Sequence, residues 1–181
     1  MELIRGIHNI LPKHHGCVLT IGNFDGVHRG HAEVINRLVD KAQHLGLPAV
    51  VMTFEPQPQE FFRGENAPAR LSLLRDKVML LDELSIDRML CINFNKKFAD
   101  YTAENFIEQL LVNTLGIKYL VVGDDFCFGK QRQGNFELLR QAGEKHGFAV
   151  VSTQSFILGD KRVSSTEVRR LLAEGNMEQA R

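Results

Sequence analysis

The chain has 181 residues, enough for one full domain, or one domain with a small appendage, around a sizeable core. Lys plus Arg and Asp plus Glu number 22 each, so there is no global basic field to gather nucleic acid and no acidic tail to act as a solvating segment. Any anion binding must be local.

Met1-Glu2-Leu3-Ile4-Arg5 is too short and too charged for the apolar core of a signal peptide, and no apolar run approaches the roughly 20 residues that span a bilayer. A cytoplasmic protein with no membrane partner is the expectation. Cys17, Cys91 and Cys127 are an odd set in apolar or aromatic surroundings, without the close pairing of a zinc or redox motif, so they read as reduced thiols. His8, His14, His15, His44 and His146 lack ligand spacing with a carboxylate and read as terminal or helix-surface residues, with His14-His15 a solvated pair.

Five apolar clusters read as strands: Val18 to Ile21, Ala49 to Phe54, Met89 to Ile92, Tyr119 to Val122 and Ala149 to Val151. Helical patterns lie between them. Val34, Ile35, Leu38, Val39, Ala42 and Leu45 form a stripe closed by Gly46 and Pro48. Leu73, Leu74, Val78, Leu81 and Leu84 mark a second helix, with Ser72 as N-cap. Thr102 caps a third that buries Phe106, Ile107, Leu110 and Leu111 and ends at Gly116; a fourth runs from Phe136 to His146 and is closed by Gly147. The last spans Thr166 to Glu174, turns Val168, Leu171 and Leu172 inward, and ends at Gly175. Strands alternating with helices predict an α/β fold, a parallel sheet with helices on both faces, whose ligands bind beyond the carboxyl ends of the strands.

Each unusual loop follows a strand. After the first comes Gly22-Asn23-Phe24-Asp25-Gly26-Val27-His28-Arg29-Gly30-His31, a glycine turn that delivers two histidines to a helix start. Free amides and the positive end of the helix dipole make such a junction a phosphate site, and Gly30 leaves room for close approach. Asp25 either simply forms the turn or orients an imidazole or a hydrated metal. Arg162-Val163-Ser164-Ser165-Thr166-Glu167-Val168-Arg169 opens the last helix; its hydroxyls either cap that helix or, with the amides, hold a phosphate over which Arg169 can reach. Phe54 ends the second strand, Pro56, Gln57, Pro58, Phe61 and Phe62 follow it, and Asp125, Phe126 and Phe128 follow the fourth, where the rings are either core or the walls of a slot for a planar ligand.

Taken together, the His28-Arg29-Gly30-His31 turn, the Thr53-Phe54-Glu55-Pro56-Gln57-Pro58 segment, Val122-Gly123-Asp124-Asp125-Phe126-Cys127-Phe128-Gly129 and Ser164-Ser165-Thr166 with Arg169 resemble the FMN adenylyltransferase module of bacterial bifunctional riboflavin kinase/FMN adenylyltransferases, in the HIGH-type nucleotidylyltransferase superfamily. The resemblance runs over essentially the whole chain. It implies a Rossmann-like fold and transfer of AMP from ATP to FMN, giving FAD and pyrophosphate with Mg²⁺ assisting. It implies that His28, His31, Ser165 and Arg169 are catalytic, with Gly22, Asn23, Phe24, Asp25, Gly30, Arg162, Ser164 and Thr166 completing an ATP site. Phe54, Pro56, Gln57, Pro58, Phe62, Asp125, Phe126 and Phe128 are then expected around the flavin. Imidazolium, guanidinium, amides and metal together would stabilise the pyrophosphate leaving group.

Two departures stand out. Many members carry a histidine where this chain has Gln57, and the family continues into a β-barrel riboflavin kinase module with a Pro-Thr-Ala-Asn signature that does not occur here. The expectation is the adenylyltransferase half alone, linked to a kinase module in the full-length protein. The rivals are another transferase of the superfamily, acting on pantetheine phosphate or nicotinamide mononucleotide, and a non-catalytic flavin or nucleotide binding module.

Overall fold

The computed structural model describes residues 1–153 and 165–180. Its centre is a six-stranded, all-parallel sheet built from β1 (Glu2–Arg5), β2 (Cys17–Ile21), β3 (Ala49–Glu55), β4 (Arg88–Asn93), β5 (Ile117–Val122) and β6 (Ala149–Ser152). The spatial order is β1-β4-β3-β2-β5-β6. Five strands lie where the apolar clusters predict them. The edge strand β1 is additional: only four residues long and with Ile4 alone buried, it has too little apolar pattern to stand out from its charged neighbours.

The helices are α1 (Arg29–Leu45), α2 (Pro58–Arg63), α3 (Leu74–Glu83), α4 (Lys96–Ala99), α5 (Ala103–Asn105), α6 (Phe136–His146), α7 (Ser165–Ala173) and α8 (Met177–Ala180). A π-helical segment, Phe106–Thr114, continues α5 and buries the four residues expected to face the core. Strand side chains alternate between two layers. Val18, Ala49, Val51, Met89 and Val121 meet Val34, Ile35 and Leu38 of α1 and Leu81 of α3. Leu19, Ile21, Met52, Leu90 and Leu120 meet Phe106, Ile107, Leu110 and Leu111, with Leu139 and Ala142 of α6. The predicted helices on both faces are present.

Terminators behave as the sequence requires, with Gly46, Gly116, Gly147 and Gly175 all at positive φ, where a Cβ would be strained. Three expectations need correction. Ser72 does not cap α3; Leu73 takes that position, because the Ser72 hydroxyl is drawn into the loop after β2. Leu172 is exposed, and only Leu171 of the last helix is buried. His14 is not solvated: it is buried, its Nδ1 accepts from the Leu11 N–H at 2.9 Å, and its Nε2 lies 3.1 Å from Glu2.

The sheet order reverses at β2, which has β3 on one side and β5 on the other. Open α/β sheets bind ligands at that switch point. The loop leaving β2 stands over it. Among the described residues no helix is long and apolar enough to cross a membrane.

Candidate nucleotide site

The loop after β2 is held in a conformation that side chains resist. The Gly22 N–H still donates to Met52 O at 3.1 Å, after which Phe24, Gly26 and Val27 take φ values of 47, 79 and 38°. Two of these three are not glycine, so the surroundings must enforce the turn. Asp25 is the main strut. Its carboxylate, 2 % exposed, accepts from the Leu71 and Ser72 N–H groups at 3.0–3.1 Å and from Arg169 at 2.5 Å. Asp25 forms the turn and adds a cross-brace; among the described residues its carboxylate bonds no imidazole.

His28 is the N-cap of α1, and its Nδ1 accepts from the His31 N–H at 3.3 Å. That acceptor role leaves the ring proton on Nε2. The two rings stack with centroids 3.7 Å apart, and the buried Nδ1 of His31 has no partner among the described residues. Burial pushes the His31 pKa down to about 3, with help from His28 and Lys77, and burial also lowers that of His28. Burial thus favours the neutral form of both rings, because a positive charge in this half-buried turn has little water to solvate it.

The second half of the site docks directly onto this loop. Ser165, first residue of α7, donates its hydroxyl to Asp25 O at 3.1 Å, while Arg169 donates from Nε to Ala69 O at 2.7 Å and from Nη2 to Asp25. Residues 140 and 144 positions apart in sequence are thus locked together. Arg162 and Ser164 lie outside the described residues. Asn23, Asp25, Gln57, Ser165, Thr166 and Arg169 line a cavity of about 160 Å³.

The loops after β3 and β5 carry a different chemistry. The buried rings of Phe54 and Phe128 belong to the core, and Phe128 fills the space beside Gly134, where a Cβ would come within 2.5 Å of the ring. Phe62 is 67 % exposed and Phe61 is 39 % exposed; both rings pack edge-on against Phe94, at 5.7 and 5.4 Å. Phe126 is half-buried and stacks on Phe128 at 5.7 Å, with Asp125 exposed beside it. The aromatic string runs from Phe62 through Phe94, Phe98, Phe106 and Phe128 to Phe126, so the loops after β3 and β5 share one apolar wall. Pro56 and Pro58 bracket Gln57, which is buried at the head of α2 with its Nε2 unpartnered among the described residues.

Sequence reasoning misses three groups here. Arg70 bridges Glu55 and Glu60, donating to each at 2.6 Å, and thereby fixes the loop after β3 to α2. Ser72 donates to Asp25 and accepts from the Gly26 N–H. Lys77 is 2 % exposed and donates to Asn23 O at 2.6 Å. Only Lys77 leaves a sequence signal: it interrupts the apolar stripe Leu74, Val78, Leu81 at a position that faces the core. Among the described residues no group of three or more His, Cys, Asp or Glu is placed to hold a metal ion.

Residues 10–167 match the model of the family described as FAD synthetase. The chain is 52 % identical over 178 residues to the bifunctional riboflavin kinase/FMN adenylyltransferase of Escherichia coli (strain K12), covering 98 % of this chain and 57 % of that protein. It is 49 % identical over 180 residues to the protein of the same name in Haemophilus influenzae, covering 99 % and 58 %. The chain thus spans less than two thirds of the curated relatives it matches. Among solved structures, a Streptococcus pneumoniae protein described as a macrolide-efflux protein superposes with a TM-score of 0.80 at 24 % identity, over 99 % of this chain and 59 % of that one. Pantothenate synthetase from Thermus thermophilus superposes at 0.59 with 16 % identity, over 99 % and 71 %. These two likenesses concern the fold alone. The family match spans both ends of the nucleotide site, the turn after β2 and the first residues of α7, and on it this chain belongs to the FAD synthetase family.

Proposed function

We propose that this chain transfers AMP from ATP to FMN, forming FAD and pyrophosphate. The observation that carries the reading is the Asp25 brace, which holds the start of α7 against the loop that leads from β2 into His28 and His31, with Asn23 and Asp25 of that loop and Ser165, Thr166 and Arg169 of α7 lining one cavity. In the reaction an oxygen of the FMN phosphate attacks the α-phosphorus of ATP, the bond from that phosphorus to the bridging oxygen breaks, and charge builds on pyrophosphate. His28 and His31 would meet that charge as N–H donors with the first amides of α1, and Ser165, Thr166 and Arg169 from the other side. No covalent enzyme intermediate is needed, since aligning two mutually repelling anions supplies much of the rate.

Mg²⁺ would arrive on the nucleotide, because magnesium keeps its waters and takes phosphate oxygens in preference to an all-protein cage. Asp25 is already occupied by Arg169 and two amides, which supports that assignment. Flavin would lie against the apolar wall, with Phe62 and Phe126 offering ring faces and Gln57 an unused donor between wall and phosphate site. The names of the curated relatives support a riboflavin kinase module linked to this one in the full-length protein, and the balanced charge supports a cytoplasmic enzyme without a nucleic-acid partner. The test is direct: the chain with ATP, Mg²⁺ and FMN yields FAD, and FAD promotes exchange of labelled pyrophosphate into ATP. Turnover of another phosphorylated acceptor with none of FMN would overturn the assignment, and absence of exchange would leave a binding module.

A further inference from the structure

Among the described residues Lys77 is the largest charged side chain that is fully buried, and nothing in the proposed chemistry uses it. An ammonium taken out of water costs several kcal/mol unless well-placed partners offset it. Its Nζ donates to one backbone carbonyl, Asn23 O, at 2.6 Å, and Asp25 and Glu55 are the carboxylates whose field favours its charge while burial opposes it. A second buried donor, the Thr53 hydroxyl, reaches the same carbonyl at 3.3 Å. Two side chains from different elements, β3 and α3, therefore converge on a single peptide group of the loop after β2.

That peptide leads into a strained residue of the loop. Phe24, which follows Asn23, has φ 47°, a region that costs a non-glycine residue of order 1–3 kcal/mol. A trans peptide points its C=O and the next N–H in opposite directions. With Asn23 O pulled inward onto Lys77 and Thr53, the Phe24 N–H points away from both, and it has no acceptor among the described residues. The Phe24 ring is also placed by this turn: it packs over Gly22, where a Cβ would come within 3.1 Å, and lies 5.1 Å from the His31 ring.

The geometry points to Lys77 as the positioning residue of the nucleotide loop: by holding Asn23 O inward it turns the Phe24 N–H outward to a phosphate oxygen of the nucleotide and sets the Phe24 ring that backs His31. Lys77 touches no substrate in this scheme. The inference rests on the ATP-binding reading of the loop and goes beyond it by naming a residue on another element that enforces the loop's shape.

The test compares Lys77→Met, Lys77→Gln and Thr53→Val with the parent chain, measuring ATP·Mg²⁺ affinity by calorimetry, FMN affinity, kcat and Tm. Among the described residues Lys77 is in no direct ion pair and Asn23 O keeps the Thr53 hydroxyl, so Lys77→Met strands no partner charge and is expected to fold. It should bind ATP about tenfold or more weakly, the loss of one hydrogen bond to a charged group, while FMN affinity stays within about twofold. Its kcat should fall roughly 10- to 100-fold, the usual penalty for a shift of about 1 Å at a reacting centre. Lys77→Gln keeps a donor and should recover much of the ATP affinity. Thr53→Val should lose ATP affinity in the same direction but less, and it decides the matter if Lys77→Met does not fold. A folded Lys77→Met with ATP affinity and kcat within about twofold of the parent overturns the inference, as does Lys77→Gln no better than Lys77→Met. A parent chain that neither binds ATP nor forms FAD overturns the functional reading instead.

Discussion

The polar loop after β2 and the aromatic cluster of the loops after β3 and β5 form two walls built on opposite principles. On the α1 and α7 side a network of polar bonds sets the shape: Asp25 to Leu71, Ser72 and Arg169, Ser165 to Asp25 O, Lys77 to Asn23 O. On the β3 and β5 side, phenylalanine rings touch one another from Phe62 to Phe126, edge-on as far as Phe106 and then tilted or stacked through Phe128. A network of directed bonds holds one geometry and fails as a unit when one member goes. A wall of rings is held by area, so each ring divides its contribution between core and ligand according to how deeply it is buried. Mutations on the first wall should therefore strike chemistry and stability together, and those on the second should separate them.

The largest effects test that separation. Asp25→Ala leaves Arg169 without its carboxylate and strands the Leu71 and Ser72 amides, so it should lower stability by about 3–5 kcal/mol and abolish FAD formation together. Phe128→Ala should cost a similar 3–5 kcal/mol, because its ring is core, buried against Phe106 and beside Gly134. Denaturant melts read both. A Phe128→Ala variant of unchanged stability with weak flavin binding would return that ring to the ligand face.

His31→Ala should lower kcat on the order of 10²-fold while flavin affinity holds, as for the loss of a donor aimed at developing charge. Equal loss of flavin affinity would break the division between the walls. His31 also links folding to pH. With its pKa lowered from 6.5 to about 3, the native state resists the proton that the unfolded chain accepts. Its contribution is therefore full above pH 6.5 and is lost as the pH falls toward 3. Replacing it with Gln should flatten the fall in Tm between pH 6.5 and 4; parallel Tm curves for parent and variant would show that the ring is solvated.

The same contrast explains what was legible in the sequence. Gly22 to His31 could be read because a strand that ends on glycine and enters a helix on histidine satisfies a backbone demand that few residue types meet, and the structure places that turn at the sheet's switch point. The rings could not be sorted, since Phe54, Phe61, Phe62, Phe126 and Phe128 look alike in sequence and differ only in which neighbours cover them. Asp25 was visible as a turn former but not as the strut to Arg169, because the partner lies 144 positions away. Lys77 sat in plain view on an apolar stripe, where its stem packs as an aliphatic residue and only its end carries the loop.

The smallest expected effect is the sharpest probe of the aromatic wall. Phe62 is 67 % exposed on the six-residue α2, and its contact with Phe94 is edge-on, so Phe62→Ala removes little that the fold depends on. Stability should change by less than about 0.5 kcal/mol, as for most surface positions. If the ring faces the isoalloxazine, its removal should weaken flavin by about 0.5–1.5 kcal/mol, a few-fold to about tenfold in Kd, with ATP affinity untouched. Calorimetric titration with FMN and with ATP separates the outcomes. A fall in ATP affinity of similar size would mean that the two walls are coupled through α2, whose Glu60 is held by the same Arg70 that holds Glu55 at the end of β3. Independence would show that the flavin side is an additive surface on a rigid phosphate frame.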